Sequence, residues 1–150
     1  MKKLVVLFSF FLIGSNLFAQ MKSPVKWGLT AKKIKVNIYE VHITAEVEAD
    51  WHIYSQFTPD GGPVATKFTF TKNPLLTLQG AVKEIGKLET HHEKLFGVDV
   101  KQFSKKVEFV QLVKVKAAVK TNLAGSIEFM VCNEKQCLPP TTKDFSISLK

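Results

Sequence analysis

Arginine is absent from this chain: all 21 basic residues are lysine. Nucleic-acid and carboxylate readers favour the bidentate guanidinium fork, so no nucleic-acid partner is expected. The lysines alternate with apolar residues in "KKIKV" (Lys32–Val36) and "VKVKAAVK" (Val113–Lys120). That spacing reads as a solvated sheet face rather than a phosphate-binding patch. Cysteine is nearly absent too, with two in 150 residues, which excludes a disulfide-dense mini-scaffold. Long hydrophobic runs are missing. The longest, "LVVLFSFFLI" (Leu4–Ile13), has ten residues, whereas a membrane-spanning helix needs about 20. No integral membrane segment is therefore expected. No window carries an apolar stripe at helical spacing; the best candidate, "AVKEIGKLETHHEKLF", has Gly86 in its middle and reads as loop with short turns.

The apolar run follows Lys2 and Lys3 and leads through Gly14, Ser15 and Asn16 to "LFA" and Gln20. Residues 1–19 are accordingly expected to be a secretory signal cut near Ala19, with no cysteine at the cut to carry a lipid. Removing 19 residues from 150 leaves 131, residues 20–150, a size that suits one domain with its own core. That exported chain would carry 19 lysines against 13 acidic residues, a net charge of +6. In an oxidising compartment a disulfide persists, so export decides how the two cysteines are read.

Period-two alternation dominates the remainder. Val41, Ile43, Ala45, Val47, Ala49, Trp51 and Ile53 share one parity, as one long strand or two joined by a bend. "ATKFTFTK" repeats the pattern after the loop "PDGGP", and "LLTLQG" is a short strand ending at Gly80. Val107, Phe109, Val113, Val115 and Ala117 form another face, which Val110 and Leu112 interrupt by a bulge or two-sided burial. Ile127, Phe129 and Val131 align, as do Phe145, Ile147 and Leu149. Seven or more short strands parted by Gly, Pro and Asn turns predict an all-β chain: an immunoglobulin-like antiparallel β-sandwich, single domain.

"VCNEKQCLPP" (Val131–Pro140) holds both cysteines. Parity turns Cys132 away from the inward set of Ile127, Phe129 and Val131. The four residues "NEKQ" then form a tight hairpin-like loop, stopped by Leu138-Pro139-Pro140, that brings the sulfurs within bridging distance. A loop this short gains only about 2 kcal/mol from closure, so the bridge is poorly placed as a staple. At an exposed loop end it is well placed for exchange. Redox and structural readings stand side by side here. A metal site is the weakest reading: zinc wants four ligands, and the adjacent pair His91-His92 points to opposite faces of a strand. His42 and His52 fall on the polar parity of their strand and are expected at the surface or rim. Glu134 and Lys135, inside the loop, oppose one another as influences on a thiolate. Nothing suggests a nucleotide, flavin or haem, and no cofactor is expected.

"FMVCNEKQCLPPTTKDFSISL" resembles the end of the periplasmic N-terminal domain of the DsbD thiol:disulfide interchange family: an aromatic strand, two cysteines flanking a short loop, then two prolines. "WHIYSQ" (Trp51–Gln56) and "GGPVATKFTF" resemble its earlier signature, so the likeness runs from about Trp27 to the end. The resemblance implies an immunoglobulin-like sandwich in the periplasm with a redox-active pair, Cys132 and Cys137. Such domains take electrons from a transmembrane partner and reduce thioredoxin-fold proteins. It implies that Cys137 forms the mixed disulfides and Cys132 resolves them. It also implies that "EKLFG" (Glu93–Gly97) is a cap loop with Leu95 or Phe96 as its lid, that Glu93 is the acidic residue near the sulfurs, and that Tyr54 belongs to the site. The loop between the cysteines is one residue shorter than in the best-known member, and the family's transmembrane conduit would have to act in trans. The expected activity is a thiol:disulfide oxidoreductase component. The alternative is a non-catalytic exported sandwich that binds a partner protein, with a structural Cys132–Cys137 bond.

Overall fold

The computed structural model describes residues 23–116 and 118–150, so the expected signal segment and Ala117 lie outside the described residues. Alternating sequence becomes eleven strands there: β1 (Val25–Lys35), β2 (Ile38–Val47), β3 (His52–Tyr54), β4 (Lys67–Phe70), β5 (Leu76–Gly86), β6 (Glu89–Glu93), β7 (Val98–Ser104), β8 (Lys106–Val115), β9 (Thr121–Phe129), β10 (Val131–Cys132) and β11 (Thr141–Leu149). All pairings are antiparallel, in sheets ordered β1-β2-β8-β5, β10-β3-β7-β6 and β11-β9-β4. Among the described residues no helix is long and apolar enough to cross a membrane.

The inward parities meet in one core. Val41, Ile43 and Ala45 of β2 and Val107, Phe109 and Val113 of β8 pack against Leu123, Ile127 and Phe129 of β9 and Phe145 and Leu149 of β11. Trp27 lies edge-on to Phe129 with ring centroids 5.1 Å apart, and Phe68 sits 4.9 Å from Phe109. Each large apolar side chain so buried contributes roughly 1.5–3 kcal/mol. The β4–β9 crossing requires glycine at position 125, because a Cβ there would stand 2.4 Å from the Thr69 carbonyl oxygen and 3.0 Å from the Phe145 ring.

Two expectations change. β5 does not stop at Gly80 but runs on to Gly86, and "ETHHE" is strand β6 rather than loop. Both strands lie at sheet edges, where little apolar periodicity is needed because one flank and much of one face meet solvent. The interruption at Val110–Leu112 is matched by a register shift in β5 between Gln79 and Lys83, around Gly80 at φ 72°. Gln111, buried, donates its Nε2 to the carbonyls of Gln79 and Gly80 at 3.3 Å each, partnering groups that the bulge leaves unpaired.

The sheet that carries the cysteines is built from continuations of core strands. β2 kinks into β3 through Asp50 at φ 66°, β7 kinks into β8 through Lys105 at φ 67°, and β9 breaks at Met130 before β10. The kinks are tied together, since the Val47 amide donates to the Lys105 carbonyl at 2.8 Å. One face of this sheet (Ile53, Phe103, Val131) closes the main core; its other face is the site.

Candidate active site

Register decides which side chains share that other face. Cys132 pairs with His52, and Tyr54 with Gln102. Residues two apart on one strand, and cross-strand partners, point the same way. Cys132, His52, Tyr54, Val100 and Gln102 therefore lie together, and Glu93 joins them through the β6–β7 pair Glu93–Val98. Cys132 is bonded to Cys137 across a Cα separation of 4.0 Å. The loop between them is held locally: Asn133 Oδ1 accepts from the amides of Lys135 and Gln136 at 2.9 Å each, and the Leu138 amide returns to the Val131 carbonyl at 2.9 Å.

The two sulfurs are not equivalent. Cys132 has no exposed surface and packs in a small cluster with Tyr54 and Val100, while Cys137 is only partly buried at its edge. The expectation of a pair standing at an open loop end is thus corrected for Cys132. It does point away from the main core, as parity requires, but the side chains of Tyr54, Val100, His52 and Glu93 surround it on the face to which it points. His52 is corrected likewise: it is 7% exposed, not a rim residue. His42 does sit at a rim, between Glu40 and Glu108.

A closed polar triangle adjoins Cys132. Tyr54 Oη donates to Glu93 Oε2 at 2.9 Å, His52 Nε2 lies 3.0 Å from Tyr54 Oη, and His52 Nε2 lies 3.4 Å from Glu93 Oε2. All three residues are buried. Burial works against a charge on His52 and holds its pKa below the ordinary value, opposed by the Glu93 carboxylate. Burial also pushes the Tyr54 phenol well up, with the bond to Glu93 adding to the effect. Tyr54 therefore works as a neutral donor. One donor atom from each of His52, Glu93 and Cys132 falls within 4.8 Å of the others.

Glu93 is also the last residue before the expected cap. The amides of Phe96 and Gly97 donate to the Glu93 carbonyl at 3.1 and 2.8 Å, and Gly97 takes φ 69°, a left-handed conformation that suits glycine. This turn lifts Leu95 and Phe96 to the tip of the hairpin, 57% and 37% exposed. Glu93, Tyr54, Cys132 and Cys137 thus come together, with Gly97 shaping the turn that carries Leu95 and Phe96. Beside them a surface cleft of about 820 Å³ runs past Trp51, His52, Gln102 and the loop residues Asn133–Lys135. Sequence reasoning missed His52 and Gln102. The signal for His52 was its two-residue spacing from Tyr54, which guarantees a shared face.

Comparison with known proteins bears on the fold and the family. No curated protein matches the chain. Among solved structures, the N-terminal periplasmic domain of ScsB from Proteus mirabilis aligns with a TM-score of 0.55 at 18% identity, covering 85% of this chain and 46% of that one. The chain therefore spans about half the length of that relative. The DsbD N-terminal domain of Neisseria meningitidis in its reduced form aligns with a TM-score of 0.51 at 14% identity, covering 83% and 85% of the two chains. The same domain in a structure of its complex with the PilB N-terminal domain gives 0.52 at 14%, covering 87% and 88%. At such identities the likeness is one of fold, an immunoglobulin-like antiparallel sandwich. The sequence family described as "Thiol:disulfide interchange protein DsbD, N-terminal" matches residues 28–149, and the chain belongs to that family.

Proposed function

We propose that the chain passes reducing equivalents in the periplasm, through the Cys132/Cys137 dithiol, to thioredoxin-fold partner proteins. A membrane thiol protein would recharge it. The carrying observation is the unequal burial of the two sulfurs: Cys137 reaches the edge of its cluster and Cys132 does not. In the reduced chain the Cys137 thiolate attacks one sulfur of the partner's disulfide. The partner's other sulfur leaves as a thiolate and takes a proton. The Cys132 thiolate then attacks Cys137 Sγ, re-forms the internal bond and expels the partner as a dithiol. Two electrons leave this chain and two reach the partner. Recharging runs the same steps backwards.

Leu95 and Phe96 act here as a lid and docking edge. Apolar side chains over a dithiol exclude small oxidants and offer a partner contact area of their own. Tyr54 and Glu93 hold the buried sulfur's surroundings in place.

Trapping tests this reading. Cys132→Ser leaves Cys137 able to attack but nothing to resolve the adduct, so a mixed disulfide with a thioredoxin-fold protein should accumulate. Cys137→Ser should accumulate none. Equal trapping by both variants, or by neither, would overturn it. Burial of Cys132 favours one competing reading, a structural bond in a sandwich that only binds its partner. Equilibration in glutathione buffers separates the two, because a potential below roughly −300 mV marks a structural bridge.

A further inference from the structure

We infer that the reduced form of this site is a zinc-binding site, with Cys132, His52 and Glu93 as ligands and Cys137 as the fourth donor. The inference rests on the proposed function to the extent that it needs the Cys132–Cys137 bond to open.

The donor set carries the inference. His52, Glu93 and Cys132 are each buried, and one donor atom from each lies within 4.8 Å of the other two. Their spacing is already partly that of a coordination sphere, with His52 Nε2 3.4 Å from Glu93 Oε2. Sulfur, imidazole nitrogen and carboxylate oxygen are the three atom types that zinc takes, in tetrahedral sets of four. Cys137 is bonded to Cys132, so reduction releases a second thiol next to the three-donor group.

In the oxidised chain the cluster cannot serve, since a disulfide sulfur has no thiolate charge to offer. There the triangle with Tyr54 satisfies His52 and Glu93 instead. Reduction changes the balance: a partner dithiol supplies two electrons and two protons, and two thiols replace one bond. A zinc ion then displaces the two thiol protons to solvent, while the neutral imidazole and the carboxylate complete the set.

Two further features fit a ligand here. Gln102 is buried on the same face, and its Oε1 has no hydrogen-bond partner, leaving an acceptor for the outer shell of a bound ion. The cleft lined by His52, Gln102 and Asn133–Lys135 connects this edge of the cluster with solvent. Zinc held in this way would bind up both thiolates and stop them attacking a partner, so free zinc would brake electron transfer.

The test uses the full chain, reduced with a phosphine or left oxidised. Each form is incubated with zinc chloride, desalted and assayed for zinc and for free thiols. The expected result is one zinc per reduced chain and none per oxidised chain, with both thiols shielded from a maleimide until a chelator is added. Chelator competition should show that His52→Ala and Glu93→Gln each weaken binding by at least about tenfold, the lower range seen even for outer-shell changes. His91→Ala, on the exposed part of β6, should leave it unchanged. If either ligand variant loses its fold, His52→Gln and Glu93→Ala, checked by circular dichroism, replace it. Two free thiols without retained zinc would overturn this inference alone. Zinc retained equally by the ligand variants would also overturn it, as binding by the loop cysteines only. Failure of any thiol to appear on reduction would overturn both this and the proposed function.

Discussion

Tyr54 donates its hydroxyl to the Glu93 carboxylate across 2.9 Å, joining strands that are 39 residues apart at the one place where a cysteine is fully buried. Few other contacts link the chemistry of the site so directly to the fold that supports it.

Removing that hydroxyl leaves Glu93 and His52 without their shared partner in a buried setting. Tyr54→Phe should fold and keep its disulfide, yet lose about 1–3 kcal/mol of stability, the usual cost of an unsatisfied buried polar group. Urea unfolding of the oxidised variant measures this; a loss below about 0.5 kcal/mol would mean that the triangle contributes little beyond packing.

The buried imidazole makes stability depend on pH. The unfolded chain protonates His52 near 6.5, and the folded chain does so only at lower pH because burial opposes the charge. Between those values the unfolded state binds more protons. The contribution is therefore complete above 6.5 and is lost as pH falls through the folded value. Unfolding midpoints at about pH 7.5 and about pH 5 should differ more in the parent chain than in His52→Gln. Equal differences would remove His52 as the source. Tyr54 adds the opposite dependence at high pH: its phenol is raised above 10.0, so stability falls as pH climbs past the unfolded value.

Gly125→Ala places a methyl group 2.4 Å from the Thr69 carbonyl, where β4 and β9 pair. Backbone cannot yield as a flexible side chain does. The expected loss is on the order of 1–3 kcal/mol, seen as a lower melting temperature with the disulfide untouched. An unchanged melting temperature would show that the two strands can part freely.

At the hairpin tip the effects should separate. Leu95→Ser and Phe96→Ser alter exposed side chains, so stability should stay within about 0.5 kcal/mol of the parent. Reduction of the bridge by glutathione should become faster in at least one of them, as the lid is removed from Cys137. Unchanged reduction rates in both would exclude the pair as a lid.

Local order was largely legible beforehand. Phe68 and Phe70, Ile127 and Phe129, and Phe145 and Leu149 lie on the faces that parity assigned, and the hairpin around "NEKQ" closes on itself through Asn133. β6 was not legible, because an edge strand rich in His and Glu satisfies no apolar period and depends on β7 for its pairing. His52 was misplaced for a related reason. Parity identifies which side chains share a face, but not whether another segment lies over that face.

What the sequence by itself determined is the alternating strand set, the inward faces and the closeness of Cys132 to Cys137. All of these follow from period-two geometry and a few residues of chain, so local physics suffices. What only the tertiary structure decided is that Cys132 is buried while Cys137 reaches the edge, and that His52, Tyr54 and Glu93 close into a triangle beside the sulfur. Those relationships depend on kinks at Asp50 and Lys105 that fold one sheet onward from another, and on a hairpin that returns from 39 residues away. Contacts of that range are set by how whole sheets pack, because burial is a property of the assembled surface and not of any single segment.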